Sequence, residues 1–426
     1  IQIMKKNILA IKKGKPVISY RFKKNNSIDN KDIKSVVKVM KSGVLSGFVA
    51  AKNKFFRGGK EVRKFEDLWC KFFKVKYSIS VNSWTSGLIA SLGALDIKPG
   101  DEIITTPWTM SATATAIIHW NCIPVFADIE PETFCIDPKS VQKNISKKTK
   151  AILAVDIFGQ SCDYDALLKI AKKNNLKLIC DSAQSVLTKF RGKYVSSIGD
   201  IGGYSLNYHK HINTGEGGVI VTNNKNYAER VYAIRNHAEA TIEDGPSKKL
   251  SNMIGHNFRM GEIEAAIGIQ QLKKVKKRVE LKQNIAIQLN KGLENLKGLI
   301  LPKIRKHSTH SYYIYPMILD INFIKTKRKK IIDALLAEGV QGITDKYVLI
   351  HLYPMFQKKI AYGDKNFPWS LNKRKIEYKK GICPVAENLQ DKTFLGLQIQ
   401  LFELKKKDVS NIIKAFKKVW NNIDNL

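Results

Sequence analysis

The sequence has no apolar run long enough to cross a bilayer, and its start, IQIMKKNILAIKKGK, lacks the apolar core and small-residue cleavage site of a signal peptide. Cysteines are few and none are in CxxC spacing: Cys70, Cys122, Cys135, Cys162, Cys180 and Cys383. Cysteines scattered in this way are typical of reduced, mostly buried thiols. We therefore expect a cytoplasmic protein with no membrane segment and no metal site.

Acidic residues are also scarce, with 37 Asp and Glu against 73 Lys and Arg in 426 residues, a net charge of +36. This excess is compatible with a DNA-binding or regulatory protein, because lysines neutralise phosphates. However, the lysines are spread along the chain, with modest clusters at LKKVKKRVELK and IKTKRKKI and no arginine-rich arm. We interpret the charge as a coding bias and expect no specific nucleic-acid partner. A positive field would still help an anionic substrate to arrive.

Residues 102–223 alternate short apolar runs with amphipathic segments. The runs are EIITT, IPVFADI, AILAVDIFG, LKLICDSAQ, GGYSLN and GGVIVTN, and the amphipathic segments include SATATAIIHW, DPKSVQKNI and DYDALLKIAKKNN. This pattern predicts an α/β fold with a mostly parallel sheet covered by helices on both faces. Ligands of such folds bind beyond the carboxyl ends of the strands.

A long helical pattern from residue 262 to about residue 296 separates this region from the rest of the chain. After it come the strand-like HSYYIYPMIL and the helix-like KRKKIIDALLAEG and KKKDVSNIIKAFKKVW, which suit a smaller α+β domain. We expect an N-terminal arm over residues 1–34, a large α/β domain over 35–275 and a small C-terminal domain over 276–426.

Two polar features follow predicted strands. Asp181 ends LKLIC, where a carboxylate needs a cation or hydrogen-bond donors to offset its burial, although it is also a candidate helix N-cap. In VNSWTSGLIASLGAL, Ser83, Thr85 and Ser86 stand at the predicted start of a helix. Hydroxyls, free N–H groups and the helix dipole make an anion site there, and a plain capping cluster is the alternative.

Lys210 stands in YSLNYHKHINTGEGG, five residues after Ser205 and just past a predicted strand. A lysine partly withdrawn from water has a lowered pKa and can form a Schiff base with an aldehyde, whereas a solvated loop lysine does neither. The flanking His209 and His211 diverge along either an extended or a helical chain, so we do not expect them to chelate a metal together.

These features, in this order, resemble the pyridoxal-phosphate-dependent aminotransferases of fold type I, and more narrowly the DegT/DnrJ/StrS-type family that makes amino sugars and aminocyclitols. The resemblance runs over nearly the whole chain. Its segments are SGFVAAKNKFFRGGKEVRKFEDLW, PWTMSATATA, IPVFADIEPETF, DIGGYSLNYHKHINTGEGGVIVT and NMIGHNFRMGEIEAAIGIQQL. It implies a large domain with a mostly parallel central sheet and a smaller C-terminal α+β domain.

The resemblance also implies a cofactor site. Its residues would be Trp84, Thr85, Met110, Asp181, Gln184, Ser205, Lys210 and Asn257. By similarity, Lys210 binds pyridoxal phosphate covalently and moves the proton, Asp181 pairs with the pyridinium nitrogen, and Gln184 approaches the phenolic oxygen. Ser205, Thr85 and the backbone around Trp84 would hold the phosphate. Asn257 would reach the phosphate of a partner subunit, which implies a homodimer with active sites at the interface.

Three departures from the family pattern concern substrate and ring contacts. Met110 stands where an aromatic residue usually stacks on the cofactor ring, so Trp84 or Trp108 is an alternative flat surface. Tyr313 stands where some members carry a substrate-contacting histidine, and His209 is a second candidate for substrate contact. The stretch FLGLQIQLFELKKKD lacks the usual LPLHP-like motif.

The implied reaction moves an amino group from glutamate or glutamine to a keto sugar, for amino-sugar or surface-polysaccharide biosynthesis. The expected acceptor is a nucleotide-linked 3- or 4-keto-6-deoxyhexose, and a keto-inositol is the alternative. Sugar dehydratases on the same scaffold carry histidine in place of the Schiff-base lysine. Counting five residues from Ser205 arrives at Lys210, which favours the aminotransferase.

Overall fold

A seven-stranded sheet lies at the centre of the protein, in a computed structural model that describes residues 8–51, 53–238 and 252–426. The strands of the first half of the chain are β1 Tyr77–Val81, β2 Glu102–Thr105, β3 Ile123–Phe126, β4 Thr149–Val155, β5 Lys177–Asp181, β6 Lys189–Phe190, β7 Lys193–Tyr194, β8 Ile201–Ser205 and β9 Gly218–Thr222. The order across the sheet is β1-β9-β8-β5-β4-β2-β3, and β6 and β7 form a separate hairpin. Only β9 runs against its neighbours, which confirms the predicted mostly parallel sheet.

Helices cover this sheet, as the amphipathic segments predict. The described α-helices are α1 Asn30–Ser42, α2 Lys60–Phe73, α3 Trp84–Ala94, α4 Ala112–His119, α5 Pro138–Asn144, α6 Tyr164–Lys173, α7 Lys225–Arg235, α8 Glu262–Leu293, α9 Arg328–Ala337, α10 Pro354–Gln357, α11 Pro384–Asn388 and α12 Lys406–Trp420. Short 3₁₀ turns occur at Ala10–Lys12, Lys54–Arg57, Ile157–Gly159, Val195–Ser197, Ile350–Leu352, Trp369–Leu371, Ile399–Leu401 and Ile423–Asn425, and a π turn at Leu389–Thr393. Among the described residues, no helix combines the length and apolar character of a membrane span.

A second, antiparallel sheet forms in the C-terminal part of the chain. Its strands are β10 Leu299–Ile300, β11 Tyr315–Leu319, β12 Ile343–Thr344 and β13 Phe394–Leu397, in the order β10-β11-β13-β12. The predicted strand HSYYIYPMIL is therefore extended and paired only over its second half. Helices α8, α9 and α12 bury apolar side chains against this sheet, which gives the smaller α+β unit.

The expected domain boundaries remain a prediction. Several elements and contacts of the structure extend across them. Helix α8 runs without interruption through the expected boundary at residues 275 and 276. Leu9, Ile18 and Phe22 of the expected arm pack into the C-terminal apolar cluster. Conversely, Phe356 and Trp369 pack into the core of the large sheet. All six cysteines are free, and all but Cys70 are buried.

Candidate active site

The carboxyl ends of β1, β2, β4, β5 and β8 lie at one edge of the large sheet, and a cavity of about 350 Å³ opens there. The residues that line it are Ser83, Trp84, Thr85, Leu88, Thr109, Met110, Ala112, Thr113, Val155, Asp181, Ala183, Gln184, Ser205, Asn207, His209, Lys210, Glu216, Tyr313 and Tyr347. Parallel strands end side by side, so the polar residues that follow them meet although they are far apart in sequence.

Asp181 is the last residue of β5 and is almost fully buried. Its Oδ1 accepts hydrogen bonds from Trp84 Nε1 at 2.7 Å and from the Ala183 N–H at 3.1 Å. Burial raises the pKa of Asp181, although both hydrogen bonds favour the ionised carboxylate. Residues 182–188, which the structure describes, form no helix, so the N-cap interpretation of Asp181 is wrong.

The Trp84 indole packs against the central sheet beside the cavity. It lies across β8, where a Cβ on Gly203 would come within 2.2 Å of the ring, so the glycine leaves room for the indole. The indole N–H donates to Asp181 Oδ1 at 2.7 Å and so orients the carboxylate. This packing involves β8, which is distant from Trp84 in sequence. No local sequence pattern around Trp84 predicts it.

Lys210 is half-buried and lines the cavity. Burial lowers the pKa of Lys210 to about 8, against the opposing effect of the Asp181 carboxylate. Its backbone N–H donates to the Asn207 carbonyl at 2.9 Å, which closes a turn directly after β8. The solvated-lysine alternative is therefore wrong, since the amine lies in the site and not in bulk water.

The start of α3 has the predicted capping serine, and it also brings Thr85 to the cavity. Ser83 is the N-cap, and its Oγ accepts the Ser86 N–H at 3.1 Å. Thr85 is exposed on the first turn and lines the cavity, as does Ser205 at the end of β8. Hydroxyls and the positive helix end thus face one wall of the cavity, an arrangement that suits a phosphate.

Gln184 lines the cavity, but both ends of its amide already bind protein. Oε1 accepts the Phe158 N–H at 2.9 Å, and Nε2 donates to the Tyr347 hydroxyl at 2.8 Å. Tyr347 is a cavity residue that the sequence analysis misses, because KYVLI has no motif and lies 163 residues from Gln184. Asn207 is also missed, and its Nδ2 donates to Glu216 Oε1 at 2.8 Å.

Met110 and Trp108, the two candidates next to PWTMSATATA, have opposite environments. Met110 lines the cavity and is 56% exposed, so its thioether is free to pack on a ring. Trp108 is fully buried, and its indole packs against Phe134 and Phe394. The suggestion that Trp108 supplies the flat surface is therefore wrong.

The two histidines beside Lys210 have separate partners. His209 lines the cavity near the hydroxyl of Tyr313, with Nδ1 3.4 Å from that oxygen, while His211 Nε2 lies 3.0 Å from the Ser311 carbonyl. Burial, reinforced by nearby positive charge, lowers the pKa of His209 to about 4 and that of His211 to about 3, so both are neutral at pH 7. Within the described ranges, no three His, Cys, Asp or Glu side chains form a potential metal site.

Asn257 does not line the cavity of its own chain. It is exposed, forms an antiparallel bridge with Asn236, and its carbonyl accepts from Asn82 Nδ2 at 3.3 Å. Asn257 is therefore separate from the cofactor cavity of its own chain.

The profile of the DegT/DnrJ/EryC1/StrS aminotransferase family matches residues 30–414. The chain belongs to this family. Spore coat polysaccharide biosynthesis protein SpsC of Bacillus subtilis is 31% identical to this chain and covers 93% of it and 96% of its own length. GDP-perosamine synthase of Vibrio cholerae is 33% identical over 65% of this chain and 73% of its own length.

Two further matches extend over nearly the whole chain. A Streptoalloteichus tenebrarius protein named for an L-glutamine:3-amino-2,3-dideoxy-scyllo-inosose aminotransferase is 30% identical over 98% of this chain and 99% of its own. The structure of an aminotransferase from Psychrobacter cryohalolentis is 27% identical, covers 95% of this chain and 100% of its own, and superposes with a TM-score of 0.81.

Members of the DegT/DnrJ/EryC1/StrS family are pyridoxal-phosphate-dependent transaminases, so the predicted enzyme class, cofactor and fold type are confirmed. The site itself fits the cofactor. It offers a lysine amine, a buried carboxylate oriented by two N–H groups, and hydroxyls at a helix N-terminus, all on the wall of one cavity. These are the groups that an aldehyde, a pyridinium nitrogen and a phosphate require.

Proposed function

We propose that this transaminase moves an amino group from glutamate or glutamine to a nucleotide-linked keto sugar, in amino-sugar or surface-polysaccharide biosynthesis. The observation that carries the proposal is the meeting of Lys210 and Asp181 in one cavity at the carboxyl edge of the sheet. The names of SpsC and GDP-perosamine synthase support a sugar acceptor. The net charge of +36 would favour the approach of a nucleoside diphosphate.

The residues that would hold pyridoxal phosphate follow from the lining of the cavity. Thr85, Ser205 and the N–H groups at the start of α3 would hold the phosphate, Asp181 the ring nitrogen, and Lys210 the aldehyde carbon. Met110 would pack on the ring. When bound, the cofactor supplies an electron sink that stabilises the carbanion left by removal of the donor's α-proton.

Lys210 would move the proton. A lysine in water is almost wholly protonated at pH 7, whereas the pKa of Lys210, lowered by burial to about 8, leaves a useful fraction neutral. Neutral Nζ would take the α-proton from the amino donor. It would then deliver a proton to the carbon atom that the aldehyde group of the cofactor supplies. With the keto acceptor bound, Nζ would move the proton in the opposite direction, to the former keto carbon. The amine of Lys210 would thereby return to its original protonation state.

Asp181 would keep the ring nitrogen protonated. Its pKa, raised by burial in the free chain, falls once a cation faces it, because an opposite charge favours the carboxylate. The N–H groups of Trp84 and Ala183 fix Oδ1 beforehand, so the carboxylate needs no rearrangement.

We also propose that the active enzyme is a homodimer. Helix α1 exposes Ile33, Val37 and Met40, at 52%, 44% and 54%, on one face at helical spacing. Exposed apolar faces of this kind are typical of protein interfaces. Together with the exposed Asn257, they support an assembly in which each subunit completes the site of the other.

The test is a screen of keto acceptors against enzyme loaded with pyridoxamine phosphate. Nucleotide-linked 3- and 4-keto-6-deoxyhexoses, the same sugars without nucleotide, and a keto-inositol are compared by the return of the pyridoxal phosphate absorbance and by product mass. We expect the nucleotide-linked sugars to react fastest. A faster keto-inositol would replace the proposed acceptor, and a product that has lost a hydroxyl without gaining nitrogen would identify a dehydratase.

A further inference from the structure

The amine of Lys210 lies over the face of an aromatic ring. Its Nζ is 4.5 Å from the centroid of the Tyr313 ring. Among the described residues, Nζ makes no hydrogen bond or ion pair with the protein, so the ring face is the contact that the structure shows for the amine. The face of an aromatic ring attracts an ammonium ion at such distances, more strongly where water is excluded.

The position of Tyr313 does not depend on Lys210. Its backbone N–H donates to the Phe158 carbonyl at 2.9 Å, which ties it to the segment after β4. Tyr313 is 6% exposed, and its ring is flanked by the rings of His209 and His211, with centroids 5.9 and 6.2 Å away. The ring face is thus already in place before the amine arrives.

We propose that Tyr313 is a positioning residue that holds Lys210 Nζ while the amine is free and protonated. This role rests on the proposed function, in which Nζ takes up one proton and gives one back. Between these two events the lysine is an ammonium ion with no covalent attachment. The ring keeps it at the cavity wall and stabilises the charged state until the proton is delivered.

Other titratable groups lie around Lys210. Asp181, His209, Glu216 and Tyr347 line the same cavity, and the charge of Lys210 helps to lower the pKa of His209 and of His211. Asp181 favours the ammonium ion, and burial opposes it. The Tyr313 face acts in the same direction as Asp181, so its removal would lower the pKa of Lys210 further.

The test measures the protonation of Lys210 in the full chain prepared without pyridoxal phosphate. Brief labelling with limiting acetic anhydride over a range of pH, followed by mass spectrometry, gives the midpoint for the Lys210 peptide, with exposed Lys147 as internal reference. Tyr313→Phe keeps the ring face and should keep the midpoint. Tyr313→Leu keeps an apolar side chain without the face and should lower the midpoint by about 0.4 to 1.5 pH units.

A second series keeps the size of the ring constant. Phenylalanine, 4-fluorophenylalanine and 3,4,5-trifluorophenylalanine at position 313 withdraw charge stepwise from the ring face, and the Lys210 midpoint should fall in the same order. Equal midpoints across this series, or a Tyr313→Phe midpoint as low as that of Tyr313→Leu, would overturn the proposal. The labelling experiment uses no keto sugar. A negative result would therefore count against the role of Tyr313 only, whereas a negative acceptor screen on the wild-type enzyme would count against the proposed substrate.

Discussion

Two pairs of opposite charge lie close to the large sheet, and they use their hydrogen-bonding capacity differently. Arg235 Nη1 and Glu66 Oε1 are 2.6 Å apart, and both side chains are fully buried. The same carboxylate oxygen accepts the N–H and the hydroxyl of Ser80, each at 2.9 Å. Asp181 and Lys210, in contrast, line a cavity, and among the described residues they form no ion pair with each other.

The difference separates a structural pair from a functional one. A buried ion pair whose oxygens and nitrogens mostly have hydrogen-bond partners holds secondary-structure elements together. The pair of Arg235 and Glu66 joins α2 to the end of α7 in this way. A charge that keeps unmatched capacity toward a cavity has a shifted pKa and is free to bind a ligand. Substitutions in the two pairs should therefore act on different measurements.

The largest effect is expected for Lys210→Met. Without the amine no group remains to move the proton, so amino transfer should fall by at least about 10³-fold. The cofactor-free chain should at the same time be more stable by about 1–2 kcal/mol at pH 7. The fall in pKa from 10.5 to about 8 marks an ammonium ion that the folded state disfavours, discounted here for screening by water in the cavity.

The pH dependence gives the sign of this stability difference. The folded pKa of Lys210 lies below the unfolded one, so the unfolded chain binds more protons between about pH 8 and 10.5. Wild-type stability should rise through that window, and the advantage of Lys210→Met should shrink to nothing above it. Urea unfolding at pH 7, 9 and 10.5 checks this, and a constant difference would contradict it.

The next effect concerns the structural pair. Arg235→Met leaves Glu66 buried without its main cation, which should cost about 3–5 kcal/mol in the free energy of unfolding. Urea unfolding at pH 7 measures the loss, and the folded fraction should still transfer amino groups at the wild-type rate. The exposed pair of Arg191 and Asp165 is the control, and Arg191→Met should leave the unfolding midpoint unchanged.

Much of the site could be predicted because it depends on local pattern and one topological rule. Apolar runs mark the strands, and parallel strands bring Asp181, Ser205 and Lys210 to one edge whatever their separation in sequence. The helix start at Ser83 follows from its capping chemistry.

What could not be predicted depends on contacts between distant segments. The Trp84 ring takes its orientation from Gly203 on β8, and Tyr347 reaches Gln184 from the C-terminal part of the chain. A sequence pattern records which residues follow a strand but not the direction of their side chains. For this reason the hydrogen bond from the Trp84 indole to Asp181 could not be predicted from the sequence.

A third prediction tests the carboxylate of the functional pair. Asp181→Asn removes the charge that would face the ring nitrogen, and the loss of one charged hydrogen bond corresponds to a fall in kcat/KM of roughly 10- to 160-fold. Asp156→Asn is the matched control, because Asp156 is buried, accepts from Tyr164 and Ser182, and does not line the cavity. Its activity should change less than that of Asp181→Asn. Equal losses would show that burial, and not the cavity, decides the effect.

The smallest effect is expected for Trp84→Phe, which keeps an aromatic ring across β8 but removes the N–H that Asp181 accepts at 2.7 Å. Since this hydrogen bond lowers the pKa of Asp181, its loss should favour the protonated acid and reduce kcat/KM by about tenfold. Trp369→Phe is the matched control, because Trp369 Nε1 makes a similar buried bond to the Tyr378 hydroxyl at 2.8 Å, away from the cavity. The two variants should lose similar stability in urea unfolding, while only Trp84→Phe loses activity. If both kept full activity, the indole N–H would be a structural contact like that of Trp369, and the orientation of Asp181 would not depend on it.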